Sequence, residues 1–110
     1  MRARVGVDLV YIPRFRTALS KIIDKAFSPR ELKNSEAGHL AGIFAAKEAA
    51  MKALSLKAGS WLNIEIANKK SGKPIVKLAK NLGKGKIVSC DLSISHDGDY
   101  AMAVFVALVE

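Results

Sequence analysis

The sequence predicts an α+β protein, an antiparallel sheet packed on one long helix. Three stretches carry that expectation. Leu40 to Leu54, LAGIFAAKEAAMKAL, has helix formers throughout, no proline and one glycine near its start. Ile87 to His96 and Tyr100 to Val109 read as strands joined by the hairpin signal Asp97-Gly98. Arg4 to Val10 reads as a further strand. No internal repeat or low-complexity linker interrupts the 110 residues, which read as a single domain, 1–110.

In the first strand Val5, Val7, Leu9 and Tyr11 alternate with Arg4, Gly6, Asp8 and Val10. Asp8 is unusual, because aspartate is depleted in strands. Gly6, on the same face, is expected to leave open space beside it. On the strand alone, Asp8 also fits a strand-end residue reaching water or a nearby cap.

Pro13 suits a helix start, so Arg14 to Ala26 reads as a short helix. Phe15, Leu19 and Ile22 or Ile23 form its core face. Arg14, Arg16, Lys21 and Lys25 form a basic side, either solvated or used for docking. Ser28-Pro29-Arg30-Glu31 is a capping box, with Ser28 as N-cap, Pro29 at N1 and Glu31 at N3. Phe27 can staple onto Leu32, and this short helix runs to about Asn34.

Glu36, preceded by Asn34 and Ser35 as candidate caps, opens the long helix. Leu40, Phe44, Met51 and Leu54 make an apolar stripe at helical spacing, and Lys47 falls inside it. Glu48 and Lys52 are four apart and share a face. The helix is otherwise mostly alanine, which lets another backbone approach closely. On the helix alone, Glu48 and Lys52 also fit an exposed ion pair, and Lys47 a snorkelling side chain. Ala58-Gly59-Ser60 ends the helical region.

Trp61 to Ala67 reads as a strand with Leu62, Ile64 and Ile66 at alternate positions. Ser71-Gly72-Lys73-Pro74 is a turn, and Ile75 to Leu78 returns as a short strand. Ala79 to Lys84 reads as one exposed helical turn closed by Gly83. In the next strand Val88, Cys90, Leu92 and Ile94 face one way and Ser89, Asp91, Ser93 and Ser95 the other, which places Cys90 in the core. Around Asp97-Gly98, His96 and Asp99 flank the turn and Ser95 stands opposite Tyr100. His96 on this evidence fits a turn histidine bonded to Asp99. Tyr100 to Val109 is apolar at nearly every position, the pattern of a strand covered by a helix on one face and another subunit on the other.

The formal charge of +8 favours acidic partners: nucleic acid, anionic lipid, nucleotide phosphates or an acidic protein. Few aromatics and no RNP-like run argue against a platform for single-stranded nucleic acid. No apolar run reaches membrane-span length, and Met1-Arg2-Ala3-Arg4 lacks a secretory core. The single cysteine excludes an internal disulfide and a cysteine-rich metal cluster. A cytoplasmic protein without membrane or nucleic-acid partners is expected.

Three pieces stand in order: the strand GVDLVYIPRF, the helix FAAKEAAMKAL and the hairpin SISHDGDYAMAVFV. Over nearly the whole chain they resemble the holo-acyl-carrier-protein synthase family of 4′-phosphopantetheinyl transferases. The Lys-Glu-Ala-x-x-Lys-Ala helix is the most specific of the three. The resemblance implies transfer of the phosphopantetheine arm of coenzyme A to a serine of an apo acyl-carrier protein. Adenosine 3′,5′-bisphosphate is then released, in support of fatty acid biosynthesis. It implies Mg²⁺ held by Asp8 and Glu48 and a phosphate contact from Lys52; Lys47, beside them in the sequence, is a further candidate to offset phosphate charge. It implies coenzyme A contacts from Ser95 and His96 and from the turn carrying Gly72, Lys73 and Pro74. Arg14 and Lys21, on the basic helix, would dock the acidic carrier protein. Glu48 would accept the serine proton, directly or through a metal-bound water. Family members are commonly trimers with sites at subunit boundaries. Two departures stand out: Ile43 replaces the usual arginine, and the segment between Phe27 and Leu40 is short.

Two other readings compete. One is a basic module that binds nucleotide or nucleic acid without transfer. The other is an assembly subunit in which Lys47, Glu48 and Lys52 only pair with one another. The ordered trio favours the transferase.

Overall fold

Residue choice in the last strand decides how sheet and helix meet. From Tyr100 to Val109 small or apolar residues on one side (Ala101, Ala103, Phe105, Ala107, Val109) are buried. Tyr100, Met102, Val104, Val106 and Leu108, on the other side, are 36% to 47% exposed. Within this chain the strand is thus covered on one face, not two.

The computed structural model describes residues 1–80, 82–83 and 85–110. Its elements are β1 (Arg2–Tyr11), α1 (Ile12–Ala26), a 3-10 turn (Glu31–Lys33), α2 (Ala37–Leu54) and a second 3-10 turn (Trp61–Asn63). They continue with β2 (Ile64–Asn68), β3 (Pro74–Leu78), β4 (Ile87–Asp97) and β5 (Tyr100–Val109). The α+β class is as expected. The short helix expected over 14–26 forms as α1; among the described residues the strands make two antiparallel sheets, ordered β1-β5-β4 and β2-β3, rather than one.

Beside β5, β1 turns Gly6, Asp8 and Val10 toward α2 and leaves Val5, Val7 and Leu9 exposed. The space expected beside Gly6 is filled by the backbone of α2 at Ala49 and Ala53. Six of the seven alanines of α2 (Ala41, Ala45, Ala46, Ala49, Ala50, Ala53) are buried, and Ala37 in its first turn is half-buried. A helix buried nearly all round needs cover on both sides. The sheet supplies one side. Phe15 and Phe27 pack on Phe44 from the other, with ring centroids 5.4 Å and 6.4 Å away.

α2 opens at Glu36 as expected, but the cap is Glu36 itself rather than Asn34 or Ser35: its carboxylate accepts from the Gly38 N–H at 2.9 Å and the His39 N–H at 2.8 Å. The helix stops earlier than 58–60. Ser55 adopts a left-handed conformation (φ 54) and the Leu56 N–H reaches back to the Met51 carbonyl at 2.9 Å. The capping box at Ser28 forms as expected.

Other expectations need correction. Trp61 to Asn63 is a 3-10 turn, so β2 begins only at Ile64, and Leu62 is exposed. Cys90 is exposed rather than core. It sits on an edge strand whose register shifts between Ile87 and Ser89, so of its apolar set only Leu92 is fully buried. The β4–β5 loop is Gly98-Asp99, with Gly98 at φ 56. Asp97 therefore pairs with Tyr100, His96 with Ala101 and Ser95 with Met102. The turn read over 79–84 falls partly on residues 81 and 84, outside the described residues.

Candidate active site

Glycine at position 6 lets α2 lie directly on β1, which brings the next inward residue, Asp8, against the second half of the helix. Lys52 Nζ donates to Asp8 Oδ1 at 3.0 Å and to the Val7 carbonyl at 3.0 Å. The Asp8 side chain is 16% exposed and that of Lys52 58%.

Glu48, one turn before Lys52, joins the same cluster. Burial holds its carboxyl above the usual glutamate range, and the negative charge of Asp8 adds to the effect. Lys52 and the nearby indole N–H of Trp61 oppose it. A buried carboxyl whose ionisation is made costlier by a second carboxylate beside it invites a cation.

Among the described residues no three His, Cys, Asp or Glu side chains group to hold a metal. Mg²⁺ does not need three, because it keeps waters and binds one or two carboxylates together with substrate phosphate. Asp8 and Glu48, from facing elements, fit that requirement.

Lys47 does not belong to this cluster, contrary to the phosphate role expected for it. Its side chain is fully buried, with Nζ 2.7 Å from Glu31 Oε1 and 2.6 Å from the Ala26 carbonyl oxygen. Glu31 is buried too, and its carboxylate also accepts from the Ser28 N–H and the Ile66 N–H, each at 2.8 Å. One residue along a helix turns the side chain by about 100°, so Lys47 and Glu48 face different surroundings. Sequence reasoning found Glu31 as a cap and missed it as the partner of Lys47. It missed Trp61 beside Glu48 altogether.

The Ser95–His96 pair is split. His96 lies on the inward face, its Nε2 3.0 Å from the Gly38 carbonyl oxygen rather than on Asp99. A Cβ at Gly42 would come within 2.9 Å of the same Nε2, so that glycine makes room for the ring. A cleft beside it is lined by Ile12, Arg16, Glu36, His39, His96 and Asp99. Ser95, by strand alternation, points out beside Met102.

Gly72, at φ 91, sits in the β2–β3 turn. There Lys73 Nζ is 2.8 Å from Asp91 Oδ1 and Pro74 begins β3. That hydrogen bond is the main reason the Asp91 carboxyl lies below its usual range. Lys73 and Pro74 line an open groove with Leu92 and Ile94 of β4. Arg14 and Lys21 are both exposed on α1, with the Arg14 guanidinium 6.0 Å from the centre of the Tyr11 ring. The structure thus gathers Asp8, Glu48 and Lys52. It places His96 at the far end of α2 and Lys73 and Ser95 on other surfaces.

The sequence pattern of the 4′-phosphopantetheinyl transferase superfamily matches residues 4–105. The chain belongs to that superfamily. Within it, this transferase-superfamily member is of the holo-[acyl-carrier-protein] synthase type. It is 41% identical to the holo-[acyl-carrier-protein] synthase of Nautilia profundicola, over 94% of this chain and 98% of that one. It is 42% identical to that of Campylobacter fetus, over 93% and 96%. Among solved structures it is similar to a Chronobacterium ammoniagenes ACPS–CoA complex, with a TM-score of 0.85 and 32% identity. That likeness covers 100% of this chain and 99% of the other. A Helicobacter pylori holo-[acyl-carrier-protein] synthase in complex with coenzyme A matches with a TM-score of 0.82 and 32% identity, covering 94% and 99%. In this superfamily member Ile43 is 5% exposed, so the departure from arginine places an apolar side chain in the core.

Proposed function

We propose that the chain, as one domain, transfers the 4′-phosphopantetheine group of coenzyme A to a serine of an apo acyl-carrier protein. It would do so with Mg²⁺, in the cytoplasm, in support of fatty acid biosynthesis. The observation that carries this reading is the meeting of Asp8, Glu48 and Lys52 across the β1–α2 contact. Coenzyme A in complexes of two structural relatives supports the choice of substrate.

Asp8 and Glu48 would hold the metal, which supplies charge neutralisation and orientation of the diphosphate. Lys52 is exposed enough to swing from Asp8 toward phosphate and offset charge on the departing bisphosphate. Glu48, whose carboxyl is held above its usual range, suits a proton acceptor for the carrier serine, directly or through one water. His96, which lines a cleft, would meet coenzyme A there. Arg14 and Lys21 would steer the acidic carrier.

The exposed apolar face of β1 and β5 supports a trimer in which that face is shared. Ser95 and Lys73 would then serve a site completed by a neighbouring copy. The basic nucleic-acid module is not favoured. Incubation with coenzyme A, Mg²⁺ and a panel of apo carrier proteins, read by mass shift, tests the reading. Loss of transfer in both Asp8→Asn and Glu48→Gln is expected, and an undiminished rate in either removes the metal role. Light scattering tests the trimer.

A further inference from the structure

Trp61 is the only tryptophan of the chain, and its indole Nε1 is buried with no hydrogen-bond partner among the described residues. A buried donor left unpaired is rare in folded proteins and asks for a reason. The ring is held firmly. It stacks on Phe44 at 5.8 Å, and Phe44 in turn packs on Phe15 and Phe27. Phe44 stands four residues before Glu48, one turn along α2 on the same side of the helix. The indole therefore comes beside the Glu48 carboxylate, near enough to favour its charged form.

We infer that Trp61 is a positioning residue, whose indole N–H takes one oxygen of Glu48 and leaves the other to face Asp8. The aromatic cluster fixes the donor, so the carboxylate must come to it. This inference rests on the transferase reading for its purpose, because it concerns the side chain assigned to the metal and the serine proton. The contact itself exists or not whatever the reaction is. The free N–H marks the place where Glu48 settles when the site is loaded.

With one tryptophan, the indole N–H gives one cross-peak in a ¹H–¹⁵N spectrum. In the protein without ligands, Glu48→Gln is expected to move that peak, whereas Lys73→Ala, remote on the β2–β3 turn, leaves it in place. Adding MgCl₂ and coenzyme A to the wild type is expected to shift it downfield. Trp61→Phe keeps an aromatic ring and loses the donor. Calorimetry should show it binding Mg²⁺ about tenfold more weakly in the presence of coenzyme A. A benzothienylalanine at position 61, which replaces N–H by sulfur at nearly constant shape, should do the same if Trp61→Phe does not fold. An indole peak indifferent to Glu48→Gln and to loading overturns the inference. So does unchanged Mg²⁺ affinity in a folded variant lacking the N–H. If the peak responds to Glu48→Gln but no carrier protein gains mass, the contact stands and the transferase reading fails.

Discussion

A Cβ placed on Gly6 would stand 1.9 Å from the carbonyl oxygen of Ala49. Strand and helix backbones touch there, and the touch sets the height at which Asp8 meets Lys52. Gly6→Ala must push β1 and α2 apart, because the obstructing atoms are backbone and cannot rotate away. It is expected to destabilise the fold by about 3 kcal/mol and to lower transfer beyond what the unfolded fraction explains. Urea unfolding beside a steady-state rate checks both.

Lys47 and Glu31 form an ion pair with both side chains wholly buried. Lys47→Met leaves the Glu31 charge without its partner and is expected to cost about 3–5 kcal/mol. Adding Glu31→Gln removes the stranded charge and should restore part of the loss. The restoration stays incomplete because Glu31 also accepts from the Ser28 and Ile66 N–H groups through different oxygens. A double-mutant cycle by chemical unfolding measures it.

Glu48 gives a pH dependence whose sign is opposite to that of most carboxylates. Its folded pKa is raised above the usual 4.5, first by burial and then by Asp8. The folded state thus binds the extra proton more tightly than the unfolded state. The stability it contributes is present below the unfolded pKa and lost as pH rises through the folded one. In the metal-free protein, Glu48→Gln should melt higher than wild type at about pH 8, with the gain fading toward about pH 4. Scanning calorimetry across pH checks it, and Mg²⁺ with coenzyme A should stabilise the wild type more than the variant.

Arg14 and Lys21 are both exposed on α1. Charge reversal at both should raise KM for the carrier protein about tenfold, flatten the salt dependence and leave kcat nearly unchanged. Initial rates at two ionic strengths decide it. A fall in kcat alone would count against docking.

Ser55 holds a left-handed backbone at the end of α2 (φ 54), which L residues adopt at a cost. Ser55→Gly is expected to stabilise the protein by about 0.5–1 kcal/mol. A thermal melt of the metal-free variant reads it directly.

Much of the site was legible before any coordinates. Glu48 and Lys52 sit four apart on a proline-free, alanine-rich helix, and the 3.6-residue period alone puts them on one face. The start of that helix at about Glu36 was legible too, but Asn34 and Ser35 were the expected caps, and it is the Glu36 carboxylate that takes the free N–H groups. The extent of the last strand was legible too, because an Asp-Gly signal and unbroken apolar alternation survive an error in the loop. The true loop, Gly98-Asp99, shifts partners by two residues and keeps every side chain on its face. Lys47 misled because the pattern shows that a lysine lies in an apolar stripe. It does not show which distant carboxylate will meet it, and Glu31 is sixteen residues earlier.

The chain by itself determined where the two α-helices and the long strands run and which charges share a helix face, since both depend on contacts a few residues apart. Only the tertiary structure decided which side of β1 faces α2. Its apolar side stays exposed, and its inward side carries Gly6 and Asp8, because a helix backbone has to fit there. It also decided that Lys47 belongs to the core, Ser95 to the outer face and Trp61 to Glu48. Those assignments need pairs far apart in sequence to be brought within contact distance, and local spacing carries no record of that.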